Sequence, residues 1–258
     1  MGDLVRASVR DGVATITLDS PHNRNALSNK LVGELHAALS EAIGDEAVRV
    51  IVLTGTGPVF CAGADLKERR DPQAPPPAVT YPEVLSLIWT SPTPVICRLN
   101  GTARAGGLGL VAACDFAIAP DTATFAFTEV RLGVVPAIIA VTCLRRMEPR
   151  AAAEYFLTGE TFDAARAEQI GLLTRAVPET DLDRAVERYT GMLLRGAPEA
   201  LAITKEMVRT VPALSVEEGF ARMAELSAER FGSAEGREGL ASFAAKRDPS
   251  WVVRREQP

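Results

Sequence analysis

Val59-Phe60-Cys61-Ala62-Gly63-Ala64-Asp65-Leu66 is the stretch on which the reading of the fold turns. It follows the apolar run Val48 to Thr54, a buried-strand signal, and opens into a helical pattern. A second stretch repeats the arrangement. Asn100-Gly101-Thr102-Ala103-Arg104-Ala105-Gly106-Gly107 follows a strand signal over Pro94 to Leu99 and leads into a short helix ending at Ala113. Two strand-to-helix loops made of small residues can aim two backbone N–H groups at one oxygen. One such preorganised donor typically contributes about 2.7–4 kcal/mol to the stabilisation of a developing oxyanion.

Outward from these loops the chain alternates strands and helices. Upstream, Asp11-Gly12 separates the alternating runs Leu4 to Arg10 and Val13 to Leu18, a hairpin signal. Ser28 opens a helix with Leu31, Leu35, Leu39 and Ile43 on one face, closed by Gly44. Between the loops, Asp71-Pro72-Gln73-Ala74-Pro75-Pro76-Pro77 is too rich in proline for a helix or central strand and reads as a mobile loop. Downstream, strands are expected over Asp115 to Ala119 and Thr124 to Phe127, followed by a turn at Glu129. Helical patterns then dominate: 137–147, 149–156, 163–170, 181–195, 198–208, 215–231 and 233–246. One last strand is expected at Leu172 to Val177. Periodicity alone therefore supports an α/β chain with a helical end.

Composition narrows the classes of function. With 258 residues, 47% hydrophobic and 24% charged, the chain can bury a large core as one domain, with or without an appendage. A net charge of -5 argues against a nucleic-acid surface. The longest apolar runs, such as Val134 to Cys143, fall far short of the roughly 20 residues that span a bilayer. The first residues, Met1 to Arg6, lack the charged-then-apolar pattern of a secretion signal. A cytoplasmic protein without a membrane partner is the expectation. Cys61, Cys97, Cys114 and Cys143 form no C-x-x-C pair and read as small buried hydrophobes, with no metal site. With only His22 and His36 available, a Ser-His-Asp triad is hard to assemble.

The order of motifs carries a family resemblance. Phe60-Cys61-Ala62-Gly63-Ala64-Asp65-Leu66-Lys67, the Asn100 to Gly107 loop, Thr128-Glu129-Val130-Arg131-Leu132-Gly133 and Asn23-Arg24-Asn25-Ala26-Leu27-Ser28 together resemble the enoyl-CoA hydratase/isomerase (crotonase) superfamily. The likeness runs from about Gly12 to Trp251. It implies a spiral of β-β-α units over residues 1–195 and a helical C-terminal region over 196–258 that mediates assembly into a homotrimer or a dimer of trimers. It also implies an acyl-CoA substrate, with CoA as part of the thioester and no separate cofactor.

Residue by residue, the resemblance makes the Ala64 and Gly106 N–H groups the oxyanion donors. Arg24, Ala26, Leu27, Ala62, Asp65 and Leu66 match the segments that hold CoA, and a cation at Arg24 suits a nucleotide phosphate. Phe243 and Lys246 match a closing helix that approaches the CoA of a neighbouring subunit. Glu129, delivered by an apolar strand end, is the candidate acid–base group, since apolar surroundings raise a carboxyl toward the working range. Hydratases of the family usually carry a second glutamate three residues after the oxyanion glycine, where this chain has Gly109. Three functions therefore stand: an enoyl-CoA hydratase (a lyase) of fatty-acid or branched-acid breakdown, which the sequence favours; a Δ3,Δ2-enoyl-CoA isomerase using Glu129 alone; and a non-catalytic acyl-CoA binding protein. Arg104 or Arg131 would pair with a second carboxylate if the substrate carries one.

Overall fold

The computed structural model describes residues 3–252; the first two and last six residues of the two expected regions lie outside the described residues. The hairpin forms as expected. β1 (Val5–Arg10) and β2 (Val13–Leu18) pair antiparallel in register Arg10↔Val13, around Asp11 and Gly12 at φ 50° and 77°. Positive φ at both central residues is the turn that matches strand twist. Alternation in β2 turns Ala14, Ile16 and Leu18 inward. They meet α1 (Asn29–Gly44), whose first turn is capped by Ser28 Oγ accepting from Leu31 N and whose buried face is Leu31, Val32, Leu35, Leu39 and Ala42.

From here the chain climbs in repeating turns. β3 (Val50–Gly55), β4 (Val59–Cys61), α2 (Leu66–Arg70) and α3 (Tyr81–Thr90) form one turn. β5 (Val95–Arg98), β6 (Thr102–Arg104) and α4 (Gly106–Ala113) form the next. β7 (Phe116–Pro120), β8 (Thr124–Ala126), a 3-10 turn at Glu129–Leu132 and α5 (Ala137–Cys143) form the third. After α6 (Pro149–Thr158) come β9 (Phe162–Asp163), α7 (Ala164–Gln169) and β10 (Arg175–Val177). The first strand of each turn joins a six-stranded sheet ordered β1-β2-β3-β5-β7-β10, and the second joins a four-stranded sheet ordered β4-β6-β8-β9. That alternation is the β-β-α spiral. β3, apolar from Val50 to Leu53, is buried on both faces, as a central parallel strand must be.

Four helices finish the chain: α8 (Leu182–Leu193), α9 (Pro198–Thr210), α10 (Val216–Gly232) and α11 (Ala234–Ala244). α9 is fastened to the spiral by Lys205, whose ammonium lies 2.7 Å from Asp115 and also donates to the carbonyls of Ile88 and Thr93. Arg49 reaches the other way, donating to the carbonyls of Gly196 and Trp251. α10 and α11 leave large apolar side chains in the open, among them Val216, Phe220, Phe231 and Leu240.

Three expectations need adjusting. The helix expected to reach Met147 stops at Cys143. The strand expected from Leu172 pairs only over Arg175–Val177, because Leu172 and Leu173 are apolar for the core and not for a ladder. α3 has no counterpart in the sequence reading, although Thr80 and Glu83 form a capping box at its start. The proline-rich residues 71–77 carry no helix or strand, and the Asn29 side chain donates to the Pro75 carbonyl. All four cysteines are free and buried. No helix among the described residues is long and apolar enough to cross a membrane.

Candidate active site

The two loops meet because β4 and β6 are parallel neighbours in the small sheet, so both chains leave at the same end. Gly63 turns at φ +90°, a region that disfavours any side chain. A β-carbon placed there would lie 2.8 Å from Ala105 Cβ and 3.1 Å from Gly106 N. One placed on Gly106 would lie 3.7 Å from Ala64 N. The two candidate donors are thus neighbours in space. Among the described residues neither N–H donates to a protein oxygen, although the flanking groups are spoken for: Leu27 N–H to Gly63, Asp65 N–H to Leu27 and Ala105 N–H to Ala126. Ala105 itself sits at φ 48°, ψ −121°. Such backbone typically costs on the order of 1–3 kcal/mol and persists where the surroundings impose it. Here it lies directly before the Gly106 N–H.

Residues 24–27 form a collar around the first loop. Asn25 is fully buried, its amide donating to Thr56 and Val59 while its oxygen accepts from Ser20 N. The carbonyl of Arg24 accepts from Ala62 N, which leaves the exposed guanidinium beside the loop. Ala26 and Leu27 are buried, and Leu27 Cδ1 packs against Gly106. Asp65 caps α2 by accepting from Lys67 N and Glu68 N, so its carboxylate holds the loop exit. Leu66 is exposed next to it. Phe243 and Lys246 stand apart: Phe243 is 86% exposed at the end of α11, and among the described residues no hydrogen bond or ion pair ties either side chain to the loops.

Glu129 opens the 3-10 turn after β8, and β8 pairs with β6, which carries the second loop. Its Oε2 is buried and has no hydrogen-bond partner among the described residues. Burial holds its carboxyl above the usual range, partly offset by its own backbone N–H. A partly desolvated carboxylate with one oxygen left without a partner is a poor structural element and a good proton acceptor. Burial also pushes up the Cys143 thiol, and Glu129 adds to that push, so the two side chains share one environment.

Gly109 lies where the second carboxylate of a two-glutamate site would start, and the space before it is full. A β-carbon there would stand 2.6 Å from Ile139 Cγ2 and 2.8 Å from the Tyr81 hydroxyl oxygen. α5 is drawn onto α4 at this point, with Thr142 Oγ1 near the carbonyl of Gly109 and Cys143 Sγ near that of Leu108. Ile139 and Tyr81 went unnoticed in the sequence because their partner lies 28 or more residues away and neither belongs to a motif. Arg104 and Arg131 are already engaged. Arg104 donates to the carbonyls of Ala103 and Thr124 and to Thr124 Oγ1; Arg131 donates to Thr158 and lies 3.6 Å from Glu160. Neither is a free cation waiting for a substrate carboxylate.

The fold and site together define a class: a β-β-α spiral that brings two loop amides side by side, with a part-buried carboxylate on the turn after the neighbouring strand. The sequence model of the family described as enoyl-CoA hydratase/isomerase matches residues 8–254. The mouse protein named enoyl-CoA hydratase domain-containing protein 3, mitochondrial, is 31% identical over 94% of this chain and 82% of its own length. Among solved structures, an enoyl-CoA hydratase from Shewanella pealeana superposes with a TM-score of 0.90 at 31% identity, covering 96% of both chains. An enoyl-CoA hydratase from Mycobacterium avium is 44% identical over 97% of this chain and 100% of its own, with a TM-score of 0.72. The chain belongs to the enoyl-CoA hydratase/isomerase family.

Proposed function

We propose that the protein acts on an acyl-CoA thioester through its enolate, with the Ala64 and Gly106 N–H groups as oxyanion donors and Glu129 as the one acid–base carboxylate. The reaction proposed is migration of a double bond from the 3,4 to the 2,3 position. The observation that carries this reading is the wall at Gly109, where Ile139 and Tyr81 occupy the space that a second carboxylate would need. Glu129 takes the α-proton, and the electron pair of that C–H bond moves into the dienolate whose oxygen the two amides hold. The same proton then returns to the γ-carbon. No water molecule has to be held, so one base is enough.

Hydration is the second reading, supported by relatives named enoyl-CoA hydratase. It needs Glu129 to activate water and supply the α-proton unaided. A non-catalytic binding role sits poorly with a partly desolvated carboxylate whose buried Oε2 has no hydrogen-bond partner among the described residues. Separate assays with 2-enoyl-CoA and 3-enoyl-CoA distinguish the readings. Turnover of 3-enoyl-CoA alone, lost in Glu129→Gln, supports isomerisation; hydration of 2-enoyl-CoA at a comparable rate overturns it. Binding of CoA esters without turnover leaves the binding role.

CoA is placed along residues 24–27 and 62–66 by resemblance, with Arg24 at a phosphate. A homotrimer or a dimer of trimers would cover the apolar side chains exposed on α10 and α11 and would bring Phe243 and Lys246 to a neighbour's CoA. The division into residues 1–195 and 196–258 follows the same reasoning. Four free, buried thiols suit a reducing, cytoplasmic setting.

A further inference from the structure

We propose that Tyr81 is a positioning residue that fixes the direction of the Gly106 N–H, and that Gly109 is glycine because the Tyr81 hydroxyl must pass it. The proposal rests on the oxyanion reading above and does not depend on which reaction follows. The Tyr81 hydroxyl donates to the carbonyl oxygen of Gly106 at 2.5 Å. The backbone of Leu110 lies close to the same hydroxyl. Residues 106 and 110 are one turn apart, so the phenol sits at the first hydrogen bond of α4.

The position matters because the first turn of a helix is where its backbone is least constrained. Gly106 has no side chain to restrain it, and Ala105 before it is held in a strained conformation. Two bonds bracket the donor. Upstream, Ala105 N–H is fixed on Ala126, in the strand that leads to Glu129; downstream, Gly106 O is fixed by Tyr81. The peptide that carries the Gly106 N–H is also held through its carbonyl, Ala105 O, which accepts from Leu108 N; losing the Tyr81 bond releases the following peptide, and the N–H shifts with it through the two backbone dihedrals of Gly106. The hydroxyl is suited to permanent donation. Burial pushes its pKa well above the ordinary phenol value, and the nearby thiols of Cys61, Cys143 and Cys114 add to the shift, so it keeps its proton.

Chain order gives Tyr81 a further meaning. The segment from Asp65 to Tyr81 begins beside one donor, at the cap that follows Ala64, and ends against the other. It is tied along its way by Glu68, which accepts from Asn29 N, and by Pro75, which accepts from the Asn29 side chain. Thr80 and Glu83 then fix where α3 starts. One stretch of chain therefore braces both donors.

The test uses ground-state and enolate ligands on the whole protein. A saturated acyl-CoA probes binding, and acetoacetyl-CoA, whose enolate absorbs in the near ultraviolet, probes the oxyanion donors. Tyr81→Phe keeps the ring and removes only the hydroxyl. We expect saturated acyl-CoA to bind within twofold of wild type, the acetoacetyl-CoA enolate to bind at least tenfold more weakly, and kcat to fall at least tenfold with KM within twofold. Equal enolate affinity in wild type and Tyr81→Phe overturns the role of Tyr81 while leaving the donors standing. Wild-type protein that binds acetoacetyl-CoA without enolate absorbance overturns the oxyanion reading and this proposal with it. Should Tyr81→Phe fail to fold, Gly109→Ala combined with Ile139→Ala relieves the Ile139 Cγ2 contact and sets a methyl against the Tyr81 oxygen. The same split is expected, and unchanged enolate affinity again overturns the proposal.

Discussion

Gly63 and Gly106 meet face to face, a β-carbon on Gly106 standing 3.4 Å from Gly63 Cα. That spacing is ordinary contact, and the room for a side chain is closed by other neighbours: a β-carbon on Gly106 would lie 2.8 Å from Leu27 Cδ1, and one on Gly63 2.8 Å from Ala105 Cβ. Gly63→Ala is therefore expected to cost at least about 1 kcal/mol in chemical denaturation, because its φ is positive. Turnover should fall more steeply than stability, by more than tenfold, since the new methyl pushes on Ala105 and Gly106. A variant with full activity and reduced stability would show that the loops do not need this spacing.

Replacing Glu129 by glutamine should lower turnover by about 10²–10⁴-fold while leaving acyl-CoA binding in place. The effect on stability has a sign of its own. Burial holds the Glu129 carboxyl above its unfolded value, so its contribution is fully present below the unfolded pKa and is lost as pH rises through the folded one. Glutamine never ionises. Denaturation midpoints should accordingly be higher in the variant at neutral pH, with the advantage vanishing in acid. In wild type, the rise of kcat/KM with pH should lie above the ordinary carboxylate range and should be missing from the variant.

Installing the missing carboxylate should fail. Gly109→Glu starts its side chain inside Ile139 and the Tyr81 hydroxyl, and overpacking of this kind typically costs about 1–3 kcal/mol. No gain in hydration of 2-enoyl-CoA is expected from it alone. Adding Ile139→Ala should recover part of the lost stability, and thermal melts of the two variants compare them directly. A stable, hydrating Gly109→Glu single variant would contradict the packing described at this wall.

Lys205 should be the costliest lysine to change. Its ammonium is buried against Asp115, whose carboxylate also accepts from Val95 N. Lys205→Met leaves that half-buried carboxylate without its cation, at a cost below the roughly 3–5 kcal/mol of a fully buried broken pair, because Asp115 keeps some solvent and the Val95 N–H. Pairing it with Asp115→Asn should return most of the loss. Urea denaturation of the single and double variants measures both, and additive costs would mean that the pair is not coupled.

The readable parts of the sequence are those in which a local requirement shows in the residue types. Asp11-Gly12 announces its turn because only certain residues accept positive φ, and Ser28 announces α1 through its cap. The loops at 59–66 and 100–107 stand out as small residues between strand and helix, and Glu129 as a carboxylate after an apolar strand. Tyr81 and Ile139 belong to another category. Nothing near either in the chain says that it will press on Gly109, and a tyrosine at the start of a helix reads the same whether its hydroxyl meets solvent or a backbone carbonyl. Lys205 likewise looks like one more charge on an amphipathic helix until α9 docks. Long-range packing decides these residues, and packing has no short-range signature.

The crowding at Gly109 also bears on how such a protein can change over generations. A side chain beyond glycine at this position starts 2.6 Å from Ile139 Cγ2 and 2.8 Å from the Tyr81 hydroxyl, so a single substitution toward a two-carboxylate site meets both before it can add a function. Clearing Ile139 first opens a void in the core, and withdrawing Tyr81 first loosens the amide it braces. Each path to the other chemistry descends before it climbs. The interlock of two side chains around one glycine thus acts as a ratchet on the lineage as well as a wall in the site.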